Sequence, residues 1–279
     1  PYAAVTTSLA PAAVPMSIAL LNFSRPRSNS TVFGSGAPPS ITLSQTDASS
    51  RPSLFTDITT EVGISYKHRE NTFFDFSREP MMPHMLSTEG PALAVGDMNG
   101  DGLDDIYAGG AKWQTGELWI QSRDGRFRRS PQPAFNADSI HEDIDAAFFD
   151  ANEDGSLDLY VVSGGNEFSD GEPLRDRLYL NDHGVFRRAE LPDFVHNGSC
   201  VVPGDFNRDG HVDLFVGTRV VTRKYGATPR SYLLQGDGTG HFRDVTPEII
   251  ANAGMVGAAA WVDDNLIVVG EWMPVTIFH

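Results

Sequence analysis

Three copies of one acidic nonapeptide constrain this chain more than any other feature. They read Asp97-Met-Asn99-Gly-Asp101-Gly102-Leu103-Asp-Asp105, Asp150-Ala-Asn152-Glu-Asp154-Gly155-Ser156-Leu-Asp158 and Asp205-Phe-Asn207-Arg-Asp209-Gly210-His211-Val-Asp213, with first residues 53 and 55 positions apart. Each is D-x-N-x-D-G-x-x-D. Side-chain oxygens at positions 1, 3, 5 and 9, with Gly at 6 turning the backbone sharply, are what a hard cation such as Ca²⁺ requires. The seventh residue (Leu103, Ser156 or His211) adds a backbone carbonyl. The expectation is three Ca²⁺ sites, one per loop. Mg²⁺ would demand a smaller cage and more water. An EF-hand would need Glu at position 12 and helices on both sides; Ala108, Val161 and Val216 stand there instead, inside β-prone runs.

The loops recur within a longer period, and a period above 50 residues calls for a repeat architecture. An apolar run enters each loop (Ala92–Val95, Ala146–Phe149, Cys200–Val202) and another leaves it (Ile106–Ala108, Leu159–Val162, Leu214–Val216). A third run follows (Leu118–Ile120, Leu178–Leu180, Tyr232–Leu234). A Gly turn then leads to an aromatic-headed fourth at Phe127, Phe186 and Phe242. Short β-rich runs between Gly, Asp and Asn turns are strands. Four of them per unit is the pattern of a propeller blade. A fourth unit begins at Gly257–Trp261, but its loop has shrunk to Val262-Asp263-Asp264-Asn265, a tight hairpin with too few spaced ligands to hold a cation. The fold class expected is all-β: about four four-stranded blades over residues 53–279, the last truncated, in a ring either left incomplete or completed by another chain. Phe55-Thr-Asp57-Ile-Thr59 echoes Phe242-Arg-Asp244-Val-Thr246, which predicts an outer strand near Phe55.

Residues 1–52 differ in composition: Pro, Ser, Thr and Ala dominate and acid is nearly absent. They are expected to be an arm, linker or small β segment, with β-like runs at Ser17–Phe23 and Ser40–Leu43. The first run has the length of a signal-peptide core but no basic segment before it. Phe33–Pro38 lacks any repeat context. A first residue other than Met points to a processed or partial product.

With 21 Lys and Arg against 37 Asp and Glu, the formal charge of −16 disfavours nucleic acid as a partner. The Arg128-Arg129 and Arg187-Arg188 pairs follow a Phe and read as solvated strand edges. The single cysteine, Cys200, excludes an internal disulfide framework and reads as a buried thiol. No stretch reaches the roughly 18 apolar residues of a membrane-spanning helix.

These residues resemble the FG-GAP/VCBS repeats of integrin α-subunit propellers. The strongest elements are Gly96–Ile106, Phe149–Tyr160 and Gly204–Phe215. Val62–Asn71, Gly90–Asp97 and Val269-Gly-Glu-Trp272-Met-Pro274 are similar to secreted bacterial proteins of the cartilage-acidic-protein type. The resemblance implies a β-propeller with Ca²⁺ in the blade hairpins, an exported location, and an adhesion or scaffolding role. The shrunken fourth loop and the small number of blades depart from it.

Outside the loops, His68, Glu70, Asp75 and His84, with His141, Glu142 and Asp143, have side chains suited to acid–base work or to lining a sugar-binding face. His68 and Glu70 alternate on a strand-like run, and Met81-Met82-Pro83-His84 reads as a packed loop, so a structural role is favoured over catalysis. Trp113, Trp119 and Trp272 have rings that can stack on sugars, but the last two sit in strand patterns and are expected in the core. Asn22, Asn29 and Asn197 head weak glycosylation sequons. The reading is therefore an extracellular Ca²⁺-binding module for adhesion, scaffolding or self-assembly. Its partners would be glycan, protein or a neighbouring copy that receives the N-terminal arm as an added strand, giving a fibre. A polysaccharide-binding or polysaccharide-degrading protein is the alternative.

Overall fold

The computed structural model describes residues 55–279. Within them the strand grammar is realised three times in full. Blade 1 is β1 (Leu93–Gly96), β2 (Asp105–Ala108), β3 (Glu117–Gln121) and β4 (Phe127–Ser130). Blade 2 is β5 (Asp143–Phe149), β6 (Asp158–Ser163), β7 (Arg177–Asp182) and β8 (Val185–Ala189). Blade 3 is β9 (Asn197–Gly204), β10 (Asp213–Val220), β11 (Tyr232–Gly236) and β12 (Phe242–Asp244). Blade 4 has three strands, β13 (Met255–Val262), β14 (Asn265–Glu271) and β15 (Thr276–Phe278). Every sheet is an antiparallel meander in sequence order. Three short helices, α1 (Thr59–Val62), α2 (Pro133–Ala137) and α3 (Glu248–Ala251), lie between or before blades.

The strands are apolar on both faces because each inner sheet is buried on both. Leu159 and Val161 of β6 pack toward Ala94, Tyr107 and Leu118 of blade 1, while Tyr160 and Val162 pack toward Val201, Leu214 and Val216 of blade 3. Phe215, one residue out of register with Leu214, faces the next layer with Val256, Leu266 and Val268 of blade 4. Three apolar layers thus alternate with four sheets. First strands neighbour first strands in the order β1, β5, β9, β13. The described residues form a propeller-like array that is not a closed ring. Its two terminal faces carry exposed apolar side chains: Leu93 and Val95 on blade 1, and Val262, Val269 and Ile277 on blade 4. Among the described residues no helix is long and apolar enough to cross a membrane.

Three expectations need correction. Phe55–Asp57 is not a strand. The echo with Phe242–Thr246 reflects shared turn chemistry: Asp57 Oδ1 accepts the N–H of Thr59 at 2.9 Å, and Asp244 Oδ1 accepts that of Thr246 at 2.9 Å. The second copy begins with β12, which pairs with β11. Trp272 is 77% exposed and not in the core, because it follows the last residue of β14 in a left-handed turn (φ 55°) that swings it out of the sheet. Residues 64–70 keep the period-two burial of a strand but pair with none. The predicted runs Ser17–Phe23 and Ser40–Leu43, with Phe33–Pro38, Asn22 and Asn29, lie outside the described residues.

Candidate functional site: acidic hairpin loops and a polar strap

Each nonapeptide joins the first two strands of its blade at the same end. All three fold alike. Position 6 is a left-handed glycine (φ 86°, 87° and 93° at Gly102, Gly155 and Gly210), which a Cβ would strain. Position 4 is also left-handed, as Gly100 (φ 75°), Glu153 (φ 58°) and Arg208 (φ 60°), a feature hinted at only by the glycine of the first copy. These two reversals wrap the loop around the first aspartate. Asp97 Oδ2 accepts the N–H of Gly102 at 2.8 Å, Asp150 Oδ2 that of Gly155 at 2.8 Å, and Asp205 Oδ2 that of Gly210 at 3.0 Å. The position-3 amide oxygen accepts the position-5 N–H in each copy, and the position-5 carboxylate accepts the position-7 N–H.

The ninth aspartate does something the spacing did not reveal. Asp105, Asp158 and Asp213 are fully buried. One oxygen of each accepts the N–H at position 2 of its own loop, from Met98 (3.3 Å), Ala151 (2.8 Å) and Phe206 (3.1 Å). The other accepts from the third strand or its end, at Gln121 (2.8 Å), Asn181 (2.7 Å) and Gly236 (2.9 Å). Each carboxylate thereby ties its loop to the sheet and keeps a second lone pair on either oxygen. Burial pushes Asp158 up to about 6, helped by the charges of Asp154 and Asp150 and opposed by the two N–H donors. Asp105 and Asp213 are raised for the same reasons, by burial first and then by the position-5 and position-1 carboxylates. The acids of each loop lie near enough for the charges at positions 1 and 5 to raise the ninth, but their oxygens do not gather within 4.8 Å as a trio. Three carboxylates, one amide and a carbonyl per loop are the donor types that a hard, oxygen-seeking divalent ion takes. The loops also touch sideways: Asn181 Nδ2 donates to Met98 O at 2.7 Å, and His211 Nδ1 meets Glu153 Oε1 at 2.5 Å. The fourth hairpin closes in two residues, with Val262 paired to Asn265.

At the opposite end of the blades, residues 64–90 run as a strap across all four. Tyr66 donates to Gly109 O, and Arg69 N donates to Gln114 Oε1 at 2.7 Å, on blade 1. Asn71 Nδ2 reaches Glu167 Oε1 at 2.6 Å, and Asp75 Oδ1 accepts from Asn166 at 2.7 Å, on blade 2. Glu79 accepts the N–H groups of Arg223 and Tyr225 at 3.2 and 3.0 Å, on blade 3. Met82 and Leu86 pack with Val220 and Met255, and His84 lies 3.5 Å from Glu271 of blade 4.

The strap separates the acid–base candidates. Asp75 is buried between Ser87 and Asn166. Asp143 accepts from Tyr107 at 2.8 Å, from Gly110 N at 2.7 Å and from Arg177 at 2.7 Å. His141 is buried with Nδ1 against Asp138 O at 2.8 Å, and burial, followed by the nearby Arg177 charge, lowers its pKa. His68, Glu70 and Glu142 come together. Their ligand atoms lie within 4.8 Å of one another, the one His/Cys/Asp/Glu trio of this kind among the described residues. Burial pushes the Glu142 carboxyl up to about 8, against the pull of the Lys112 N–H and with help from Glu70 and Glu167. Trp119 is buried as expected, whereas Trp113 is 70% exposed. Cys200 is buried, which raises its thiol to about 11. Asn197 is buried and donates to Gly165 O, so that sequon is occupied by the fold.

The model of the FG-GAP-like repeat matches residues 97–161 and 150–216, each match running from the start of one acidic loop into the second strand of the next blade. A solved chain described as the Dos1 propeller is similar over 64% of this chain, at 13% identity and a TM-score of 0.39. The likeness takes in 41% of that chain, less than half its length. No curated protein matches the sequence significantly.

Proposed function

We propose that the FG-GAP-like repeats of this chain are Ca²⁺-loaded blades of an extracellular binding and assembly module. The observation that carries this reading is the threefold identity of the loops. The same two left-handed positions, the same N–H scheme and the same buried ninth aspartate recur in three blades. In loop 1, Asp97, Asn99, Asp101, the Leu103 carbonyl and Asp105 hold one ion. Asp150, Asn152, Asp154, Ser156 and Asp158 hold the second, and Asp205, Asn207, Asp209, His211 and Asp213 the third. Such sites in extracellular modules bind at about 10⁻⁴–10⁻³ M, so they stay filled outside a cell and act as structural pins. Exposed apolar side chains on the terminal blade faces support assembly with a second copy of the chain.

The test is Ca²⁺ titration with thermal unfolding and sedimentation. Three ions per chain are expected, each adding about 2.7 kcal/mol at a hundredfold excess over its Kd. Asp101→Asn, Asp154→Asn and Asp209→Asn should each remove one ion from the stoichiometry. A melting temperature indifferent to Ca²⁺ would sink the metal reading. A sedimentation coefficient fixed at the monomer value over all concentrations would sink self-assembly. A glycan ligand is the second reading, favoured by the exposed rings of Trp113 and Trp272. It predicts that Trp113→Ala or Trp272→Ala weakens retention on a polysaccharide matrix.

A further inference from the structure

We propose that His68, Glu70 and Glu142 form a second kind of metal site, for a Zn²⁺-like transition ion, which pins the strap to blade 2. The site lies at the blade end opposite the acidic loops. His68 and Glu70 come from the strap, and Glu142 immediately precedes β5.

Two independent observations point to a cation here. The first is the convergence of one imidazole and two carboxylates within 4.8 Å. The second is an orphaned oxygen. Glu142 is only 3% exposed; its Oε2 accepts the Lys112 N–H at 2.9 Å, but its Oε1 is buried with no hydrogen-bond partner. A buried acceptor left unmatched is destabilising, more so if charged, unless something positive meets it.

The surroundings also orient the histidine as a ligand. Tyr66 donates its hydroxyl hydrogen to Gly109 O, so the phenol oxygen faces His68 Nδ1 (3.3 Å) as an acceptor. That assigns a ring hydrogen to Nδ1 and leaves Nε2 to face the carboxylates. Nε2 lies 2.6 Å from Glu70 Oε1, a hydrogen-bond distance, so a proton lies between them in the metal-free chain and a bound cation would take its place as the two atoms move apart. A hydrogen bond to the far ring nitrogen is the usual way a metal-binding histidine is held in its tautomer. An imidazole is a poor ligand for Ca²⁺, whereas one nitrogen and two carboxylates with water in the fourth position suit Zn²⁺. The two ends of the blades would thus sort metals, hard ions in the all-oxygen loops and a borderline ion under the strap.

The experiment uses the full chain in millimolar Ca²⁺, so that the loops are saturated, and titrates Zn²⁺ calorimetrically and Co²⁺ by visible absorption. One equivalent of Zn²⁺ and an intense tetrahedral Co²⁺ band are expected. His68→Gln and Glu142→Gln should abolish both while leaving Ca²⁺ stoichiometry unchanged. Tyr66→Phe, which removes only the orienting hydroxyl, should weaken Zn²⁺ about 10-fold or more. Should the buried Glu142 variant not fold, His68→Gln on the more accessible strap decides the matter. A wild-type chain that takes up no Zn²⁺ beyond the loops, or a His68→Gln chain that binds it with wild-type affinity, overturns the proposal. Neither result bears on the Ca²⁺ reading, which is scored by its own titration.

Discussion

At the scale of single residues, the ninth aspartate of each loop has two duties. It faces the loop interior, and it holds two backbone N–H groups from elements that have no other reason to meet. Asp158 shows this best, accepting from Ala151 at 2.8 Å and Asn181 at 2.7 Å while fully buried. Asp158→Asn would turn an NH₂ toward one of those donors and strand it. The cost should be about 1–3 kcal/mol in chemical denaturation even with Ca²⁺ removed by chelator. Asp154→Asn, exposed and peripheral to the sheet, should change stability in chelator by much less. If both variants lost the same amount in chelator, the ninth position would be a ligand and nothing more.

At the scale of elements, the strap is held by polar contacts, and one of them makes it sensitive to pH. Glu89 sits against Arg219 (3.1 Å), a guanidinium shared with Glu271 (2.7 Å) and near His84 (3.7 Å from Glu89), with Asp75 also close enough to act on it. Burial, only partly offset by Arg219, raises Glu89 from its ordinary 4.5 to about 7. The folded state therefore holds this proton over a window in which the unfolded chain has lost it. Stability from this group is present below the unfolded value and falls as pH rises from 4.5 to about 7. Glu89→Gln should flatten the melting-temperature profile across that window in saturating Ca²⁺. A profile with the same slope in the variant would place the dependence elsewhere.

At the scale of the whole described unit, acids of blade 2, two of them buried and Asp145 partly so, join the blades beside the apolar layers. Asp143 binds Tyr107 and Gly110 of the blade 1 side, Asp145 Oδ2 accepts Val201 N of blade 3 at 2.9 Å, and Asp176 accepts from Tyr160 at 2.8 Å and meets His196 of blade 3 at 2.9 Å. Arg177, 2% exposed, is the counter-ion of Asp143. Removing one partner of such a buried pair leaves an uncompensated charge, which costs about 3–5 kcal/mol. Arg177→Met should lose stability on that order by denaturant midpoint, and Arg177→Met with Asp143→Asn should recover part of it. A double variant as unstable as the sum of the single ones would mean that the pair is not coupled.

Local chemistry explains why so much was legible before any coordinates. The strands, their order and their pairing follow from apolar runs cut by Gly, Asp and Asn turns, since an antiparallel meander needs only short-range partners. The acidic nonapeptides announce their own loop geometry through Gly102, Gly155 and Gly210, because carboxylate spacing and a left-handed turn are both written in consecutive residues. The same locality misled at Phe55, where a motif shared with β12 encodes a turn, and at Trp272, where a strand-like run ends one residue too early. The strap, the convergence of His68 and Glu70 on Glu142, and the Tyr107–Asp143 and His196–Asp176 links join residues from 20 (His196–Asp176) to 187 (His84–Glu271) positions apart. No periodicity marks them. Their partners are chosen by how the stacked blades bring strand ends to one face, and that placement exists only once the apolar layers between the sheets have formed.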